Sequence, residues 1–293
     1  MLKKITVFTP TFNRAYCLNQ LYESLLVQTN KHFLWLIIDD GSIDNTQNLV
    51  NSWISENKIE IHYIHQENRG MHAAHNTAYQ NIITELNVCI DSDDYMPQDA
   101  IEQILALWNH NSDGSIAGII GLDAYKNGVP TGFIPLHFDY ATLSELEVQN
   151  KIRGDKKIVL RTDIVKKMPL YPLFENEKFV PLGTLYLMID QKYKYICTNK
   201  VLCIIEYLED GSSKNIFKQY QKSPNGFLYS RVLEMKYSKS IVYSFTRAMH
   251  YISSCLFIKK WNLFSGNPKK MLTFFAIPFG VLLHFYILYR IKK

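Results

Sequence analysis

Residues 33–42 read FLWLIIDDGS, a fully apolar run, Phe33–Ile38, that ends in Asp39-Asp40-Gly41-Ser42. Upstream, Ile5–Thr9 (ITVFT) is a second short β-rich run, followed by the turn Pro10-Thr11-Phe12-Asn13. Between the two, Leu18, Leu21, Tyr22, Leu25 and Leu26 recur at helical spacing, which predicts a helix from about Ala15 to Gln28. Downstream, Asp44 stands where an N-cap would open a helix carrying Leu49, Val50, Trp53 and Ile54. Ile59–Ile64 reads as a third strand and Met71–Leu86 as a third helix. Val88–Ile90 is a short fourth strand ending in Asp91-Ser92-Asp93-Asp94, and Pro97 opens a helix through Trp108. Strand and helix alternating at this spacing imply an α/β fold, a parallel sheet with helices on both faces.

In such a sheet, ligands bind at the carboxyl ends of the strands. Three polar clusters fall there: Thr9–Arg14, Asp39–Ser42 and Asp91–Asp94. A lone Asp-rich turn after a strand is ordinarily a helix cap; three converging on one edge point to a site. Carboxylates one residue apart in a turn, as in DSDD, can point the same way as hard oxygen ligands for Mg²⁺ or Mn²⁺. Two or three acids are too few for a closed cage, so a nucleoside diphosphate is the natural completing ligand. The competing reading is a solvated turn capping the Pro97 helix.

TPTFNR, DDGS, the ENRG segment (Glu67-Asn68-Arg69-Gly70) before HNTAY, and DSDD, in this order, resemble family 2 glycosyltransferases of the GT-A fold. The resemblance covers roughly residues 3 to 110, and its motifs are jointly specific. It implies a Rossmann-like, mostly parallel central sheet flanked by helices. It also implies inverting transfer of a sugar from a nucleoside diphosphate donor, uridine-linked above all. By the same resemblance Thr9, Pro10, Thr11, Asn13 and Arg14 lie in the loop that contacts the nucleoside. Asp40, or its neighbour Asp39, matches the acid that reads the base and ribose, with Gly41 and Ser42 beside it. Asn68, Arg69 and Gly70 match the loop covering the nucleotide. Asp91 and Asp93 match the metal site, Asp93 as the direct ligand and Asp91, with Ser92, nearer the ribose. Asn76 belongs to the same set, but His75 stands where members often carry Arg, so the sugar-phosphate contact there differs.

Inversion needs a carboxylate that accepts the proton of the attacking hydroxyl. The family's base lies in the second half, which leaves Glu177 and Glu175 in LFENEKF and Asp155 in RGDKK as candidates, Glu177 preferred. Each of these also reads as a solvated surface acid. His72 and His75, with His62 and His65 upstream, lack a completing Cys or acid and read as structural, not as a zinc site. Five scattered cysteines with no CxxC argue against a zinc ribbon or a disulfide framework; Cys197 and Cys203 read as small core residues.

Composition sets the remaining bounds. Hydrophobic residues at 47% and charged residues at 20% exclude a disordered tail, a collagen-like fibre and a polytopic membrane protein. MLKKITVFTP enters a strand with no apolar leader, which predicts a cytosolic, reducing setting. The net charge of +5 divides unevenly: residues 211–293 hold fourteen Lys/Arg against Glu234 alone, +13, leaving eighteen basic and twenty-six acidic residues, −8, in 1–210. After Ser115 the pattern changes: a strand at Ile116–Leu122, an interrupted stretch Val129–Leu136, long polar connections to about Asn199, a strand at Val201–Tyr207, and aromatic basic helices from Phe227. Met271–Tyr289 holds nineteen residues without a charge, flanked by Lys269-Lys270 and by Arg290, Lys292 and Lys293. A span would leave one basic cluster outside, against the positive-inside tendency, so an in-plane or re-entrant helix on an anionic membrane surface is expected. A buried C-terminal helix pair is the alternative. The segment carries too much aliphatic surface and too few charges for nucleic acid.

The expected organisation is a nucleotide-sugar-binding part over 1–125, an acceptor-binding part over 126–226 and a membrane-associating helical region over 227–293. Resemblance and tail together imply transfer to a polyprenyl-diphosphate-linked glycan in capsule or exopolysaccharide assembly at the cytoplasmic face of a bacterial membrane. A homo-oligomer is compatible with the sequence. A sugar-phosphate nucleotidyltransferase would need a Gly-rich loop that TPTFNR lacks. A non-catalytic membrane-bound partner would let DSDD or DDGS erode, and both are intact.

Overall fold

The computed structural model describes residues 3–111, 113–206 and 216–292. The chain forms two compact units, Met1–Pro169 with Lys192–Leu208, and Leu170–Gln191 with Glu209–Lys293.

The first unit is built on one sheet. In chain order it holds β1 (Ile5–Thr11), α1 (Ala15–Leu26), β2 (Phe33–Asp39), α2 (Thr46–Glu56), β3 (Ile61–His65), α3 (Met71–Asn81), β4 (Leu86–Cys89) and α4 (Ala100–Asn111). Then come β5 (Ile116–Tyr125), β6 (Tyr140–Ala141), a π-helical turn at Glu145–Gln149, β7 (Lys156–Arg161), α5 (Thr162–Val165) and β8 (Lys194–Ile205). Every residue of β1 and β2 is buried, as expected of strands covered on both faces. Tyr22 of α1 stacks on Trp53 of α2 at 4.4 Å, and Trp53 on Trp35 of β2 at 5.7 Å, which fixes both helices against one face.

The strand order is β3-β2-β1-β4-β7-β5-β8-β6. The first four strands run parallel, and the chain reverses direction of growth between β2 and β4 on either side of β1. That reversal is the topological switch point, where such sheets open a crevice. The sheet is mostly parallel, as expected; its exceptions are β7, which pairs antiparallel with both β4 and β5, and β6, antiparallel with β8. β7 (KKIVLR) is short and sits inside the stretch read as polar connection, so no periodicity announces it. Its reversed direction brings its first residues, Lys156 and Lys157, to the edge where β4 and β5 end.

Several boundaries also move. α3 stops at Asn81, because Ile82 is already extended and Thr84 turns inward to bond Thr6 Oγ1 at 2.7 Å and Leu86 O at 2.8 Å. α4 begins at Ala100, three residues past Pro97, whose carbonyl accepts from Ala100 N and from the buried Gln28 amide. Asn45, not Asp44, precedes α2; Asp44 instead accepts from Thr46 N at 3.1 Å and from Ala15 N at 3.1 Å, tying the starts of α2 and α1 together. β8 starts at Lys194, with register shifts against β5 that break the apolar pattern before Val201. Tyr207, expected in that strand, lies outside the described residues.

The second unit is helical among its described residues: α6 (Gly183–Ile189), α7 (Ile216–Lys222), α8 (Pro224–Tyr237), α9 (Ile241–Phe257) and α10 (Lys270–Lys292). α9 and α10 pack around Ala248, Tyr251, Ile252, Cys255 and Ala276. A Cβ on Gly280 would stand 2.7 Å from Ile252 Cβ, so that glycine lets the two helices close. His284 bonds Ser253 Oγ at 3.2 Å across the same seam. α10 therefore buries one stripe, Thr273, Ala276, Gly280 and Ile287, while Phe274, Phe275, Leu282 and Phe285 face outward and Phe279 lies at the rim, edge-on to Phe245 at 5.7 Å. It is the one described helix long and apolar enough to cross a membrane.

Candidate functional site

Loops following β1, β2 and β3 meet at the carboxyl edge of the sheet, beside the DSDD turn that follows β4. Asn13, with φ of 53°, takes the left-handed conformation that asparagine tolerates better than most residues. Its N–H donates to Ser42 Oγ at 2.8 Å and its side-chain oxygen accepts from Ile43 N at 2.8 Å, zipping the first loop to the second. Asp39 accepts from Ser42 N at 2.8 Å and from the Tyr63 hydroxyl at 2.5 Å. Asp40 reaches the third segment: it accepts from Gln66 Nε2 at 2.7 Å, Arg69 N at 3.0 Å and Gly70 N at 2.7 Å. A Cβ on Gly41, whose φ is 85°, would sit 2.9 Å from Asn68 N, so the turn needs glycine to let the covering loop approach.

These bonds bring Thr11, Asn13, Asp39, Asp40, Gly41, Ser42, Asn68, Arg69 and Gly70 together. Thr9 is different: its hydroxyl accepts from Trp35 Nε1 at 3.0 Å inside the core. Pro10 is buried beside it. Arg14 donates to the Tyr16 hydroxyl at 2.6 Å, and its guanidinium lies 3.7 Å from Asp93 Oδ2, linking the first loop to the DSDD turn. Thr11 Oγ1, Asn68 Oδ1 and both ring nitrogens of His72 are buried without a hydrogen-bond partner. Buried polar atoms are ordinarily satisfied, so orphans gathered around Asp40 mark a place shaped for something else to bind.

The DSDD turn divides by burial. Asp91 and Asp93 are partly open, while Ser92 and Asp94 are buried. Asp94 accepts from Glu206 N at 3.2 Å, and burial pushes its carboxyl up to about 7 despite the opposing Lys157 charge. A pocket of about 340 Å³ lined by Tyr16, Gln20, Asp93 and Glu206 opens beside the turn. Among the described residues no three His, Cys, Asp or Glu side chains are placed to hold a metal ion by themselves. Two open carboxylates on one turn nevertheless fit a hard divalent cation that draws its other ligands from a diphosphate.

Sequence reading does not single out Lys157 or Asp123. Lys157 lies 3.9 Å from Asp123 Oδ1, both side chains nearly buried, and its charge also faces Asp91, Asp94 and Cys203. Three carboxylates keep the ammonium charged despite desolvation. Asp123 carries the available signal: an acid inside the otherwise apolar run of β5 requires a buried partner. Lys157→Met is expected to leave Asp123 and Asp94 uncompensated at a cost of about 3 kcal/mol. Thermal denaturation should then fall by roughly 6–12 °C, with Lys157→Arg recovering part of it. An unchanged midpoint would remove Lys157 from this role.

His75 is buried on the edge of Phe8, with ring centroids 5.0 Å apart, and burial holds it down to about 4, against the pull of Asp91. It is neutral at pH 7 and supplies none of the charge an arginine would bring. Asn76 is buried beside it on α3. Cys203 is more than core filling, since its thiol donates to Asp94 Oδ2 at 3.8 Å.

Of the three candidate bases, Asp155 belongs to the first unit and the neighbours Glu175 and Glu177 to the second. Asp155 is exposed at the start of β7, where its carbonyl accepts from Thr131 Oγ1 at 2.8 Å. Glu175 is exposed as well. Glu177 caps α8: Oε1 accepts from Asn225 N at 3.0 Å and Asn225 Nδ2 at 2.7 Å, and Oε2 from Gly226 N at 2.9 Å. Ser223 makes no side-chain cap there, so Glu177 supplies the negative charge at that helix N-terminus.

Comparison with known proteins agrees with this architecture. An uncharacterized glycosyltransferase of Rickettsia felis is 38% identical over 109 residues, 37% of this chain and 18% of its own length. The structure of Staphylococcus aureus TarS in complex with UDP-GlcNAc superposes with a TM-score of 0.62 at 18% identity, covering 95% of this chain and 80% of that one. TarS is a poly(ribitol-phosphate) β-N-acetylglucosaminyltransferase. A mannosyltransferase of Pyrobaculum calidifontis in complex with GDP-Man and Mn²⁺ gives a TM-score of 0.58 at 14% identity, covering 100% of this chain and 83% of that one. Both structures share the mixed α/β fold of this chain. The family model described as glycosyl transferase family 2 matches residues 6–167, more than half of the chain, and with the three loops converging at the switch point it assigns the protein to that family.

Proposed function

We propose that the protein is an inverting glycosyltransferase that moves a sugar from a uridine diphosphate donor to a membrane-held glycan acceptor. The observation that carries the reading is the closure of three loops around Asp40 and the DSDD turn at the switch point of the sheet. In this reading Asp40 and its neighbours hold the nucleoside, and Asp91 faces the ribose. Asp93 takes Mn²⁺ or Mg²⁺ together with the donor diphosphate. A bound cation would supply Lewis-acid stabilisation of the departing diphosphate. Lys157 fixes the charge balance behind the acidic turn, and Arg14 adds a positive charge at its open side.

Glu177 is the base of this proposal, with Asp155 and Glu175 the alternatives. Three donors hold the Glu177 carboxylate in one orientation and leave one lone-pair site for an incoming proton. Glu177→Gln is expected to lower turnover by about 10² to 10⁴ while leaving nucleotide affinity in place. It also exchanges one acceptor of the α8 cap for an N–H donor, so the melting midpoint has to be read alongside the rate. A rate loss in protein that remains folded at the assay temperature supports the assignment; normal turnover moves the role to Asp155 or Glu175.

The acceptor side rests on the outward aromatic face of α10 and the +13 charge of residues 211–293. Both favour an anionic membrane surface at the cytoplasmic face and a lipid-linked acceptor, in capsule, exopolysaccharide or a related surface polymer. The test of the reading is a thermal-shift and turnover series of uridine, guanosine and cytidine diphosphate sugars with and without Mn²⁺. Mn²⁺-dependent stabilisation by a uridine donor, with release of UDP, is expected. No response to any nucleotide would refute it.

A further inference from the structure

His72 is the second residue of α3, 1% exposed, and neither ring nitrogen has a hydrogen-bond partner. A buried imidazole that bonds nothing loses the hydration of both nitrogens without return, so its retention at this position needs a reason. The helix N-terminus it sits on would ordinarily attract an anion. Here the approach already holds a negative charge: the Asp40 carboxylate accepts from Arg69 N and Gly70 N, the two residues that lead into α3. A phosphate would meet the Asp40 charge. A neutral, hydrogen-bonding ligand edge would not.

Burial pushes His72 below its ordinary pKa against the pull of Asp40, so the ring is neutral at pH 7 and offers one N–H donor. Asp40, whose charge acts on the ring, retains acceptor capacity, and Asn68 Oδ1, on the loop that closes over Gly41, is an unused acceptor. A donor next to acceptors complements an edge that pairs a carbonyl oxygen with an adjacent N–H. Uracil and thymine present that edge at O4 and N3. Cytosine presents a lone pair at N3 and an amine at position 4, so it sets lone pair against carboxylate at Asp40.

We infer that His72 is a specificity-determining residue of the nucleotide site, donating a ring N–H to a carbonyl oxygen of an imide base held against Asp40. This deepens the proposed function and rests on it. His72→Phe keeps the ring volume and removes both nitrogens. By calorimetric titration it should weaken UDP about 5- to 100-fold and leave CDP nearly unchanged, so that the UDP/CDP preference collapses. His72→Gln, which restores an N–H donor, should recover part of the preference, and inorganic pyrophosphate should bind both variants as it binds the wild type. Nitrogen NMR of the wild-type ring gives a readout independent of any variant: the His72 signals should move with UDP and stay still with pyrophosphate. Equal loss of UDP and CDP affinity, an unchanged preference in folded His72→Phe, or a ring that does not respond to UDP would each overturn the assignment. Wild-type protein that binds no uridine nucleotide would instead overturn the functional reading beneath it.

Discussion

Asp93→Asn should abolish sugar transfer, lowering turnover by at least about 10³, while the protein melts within a degree or two of the wild type. Both halves follow from where the side chain sits. Asp93 is partly open at the DSDD turn and lines the adjacent pocket, so the substitution opens no cavity and buries no orphan. Its loss removes a full negative charge from the group proposed to hold the cation against the diphosphate. Electrostatic groups aimed at developing charge are worth roughly 2.7–4 kcal/mol each, and removing a cation's ligand removes the cation's own contribution as well. Asp91→Asn should act differently, raising KM for the donor more than it lowers kcat. Asp94→Asn, one residue on, should show its main effect in stability, because that carboxyl is buried against Glu206 N and Lys157. Full turnover in EDTA, or an active Asp93→Asn enzyme, would refute the metal assignment.

The nucleotide half of this site is legible in the sequence because each of its loops follows a strand whose apolar run is unmistakable. FLWLII cannot be left in water, and the polar residues that end it, DDGS, must lie at the sheet edge. The loops then converge because parallel strands all end on one side. What sequence periodicity misses is what depends on pairing across distance. β7 is six residues long with two lysines at its start, and nothing local distinguishes it from a polar connection. Only its insertion between β4 and β5 turns Lys157 into the buried counter-charge of the acidic turn. His72 fails for a related reason. On a helical wheel it pairs with His75, which suggests a structural face; its significance lies in Asp40, thirty-two positions earlier, standing against the residues that lead into that helix. Glu177 shows the converse, a residue picked out by motif whose observed bonds serve the start of α8, forty-odd positions later.

The C-terminal helix is packed on one face and open on the other. Removing residues 267–293 tests membrane attachment only if α10 is an appendage, and it is not. Ala276, Gly280 and Ile287 complete the core against α9, so truncation would strip Tyr251, Ile252 and Cys255 of their cover and is expected to give aggregated protein. The outward face can be changed alone. Phe274, Phe275, Leu282 and Phe285 are 56%, 61%, 67% and 63% exposed, whereas Phe279 meets the Phe245 ring of α9 at 5.7 Å and is left in place. Replacing all four with Ser should leave the α9–α10 seam and the melting behaviour nearly unchanged. Each of these side chains that enters the acyl boundary contributes about 1.5–3 kcal/mol at full burial. Even half-realised, four of them amount to about 3–6 kcal/mol, a hundredfold or more in partition. Lys270, Arg290 and Lys292 flank the face and add about 1 kcal/mol each near an anionic surface. In vesicle sedimentation the wild type should bind phosphatidylglycerol-containing membranes and release only partly in high salt, because the aromatic contact is not screened. The quadruple variant should bind weakly and release fully in salt, retaining the electrostatic part alone. Hydrolysis of the free donor should survive in it while transfer to a lipid-linked acceptor falls. If the variant sediments with vesicles as the wild type does, the aromatic face is not the membrane contact, and attachment through α10 is refuted.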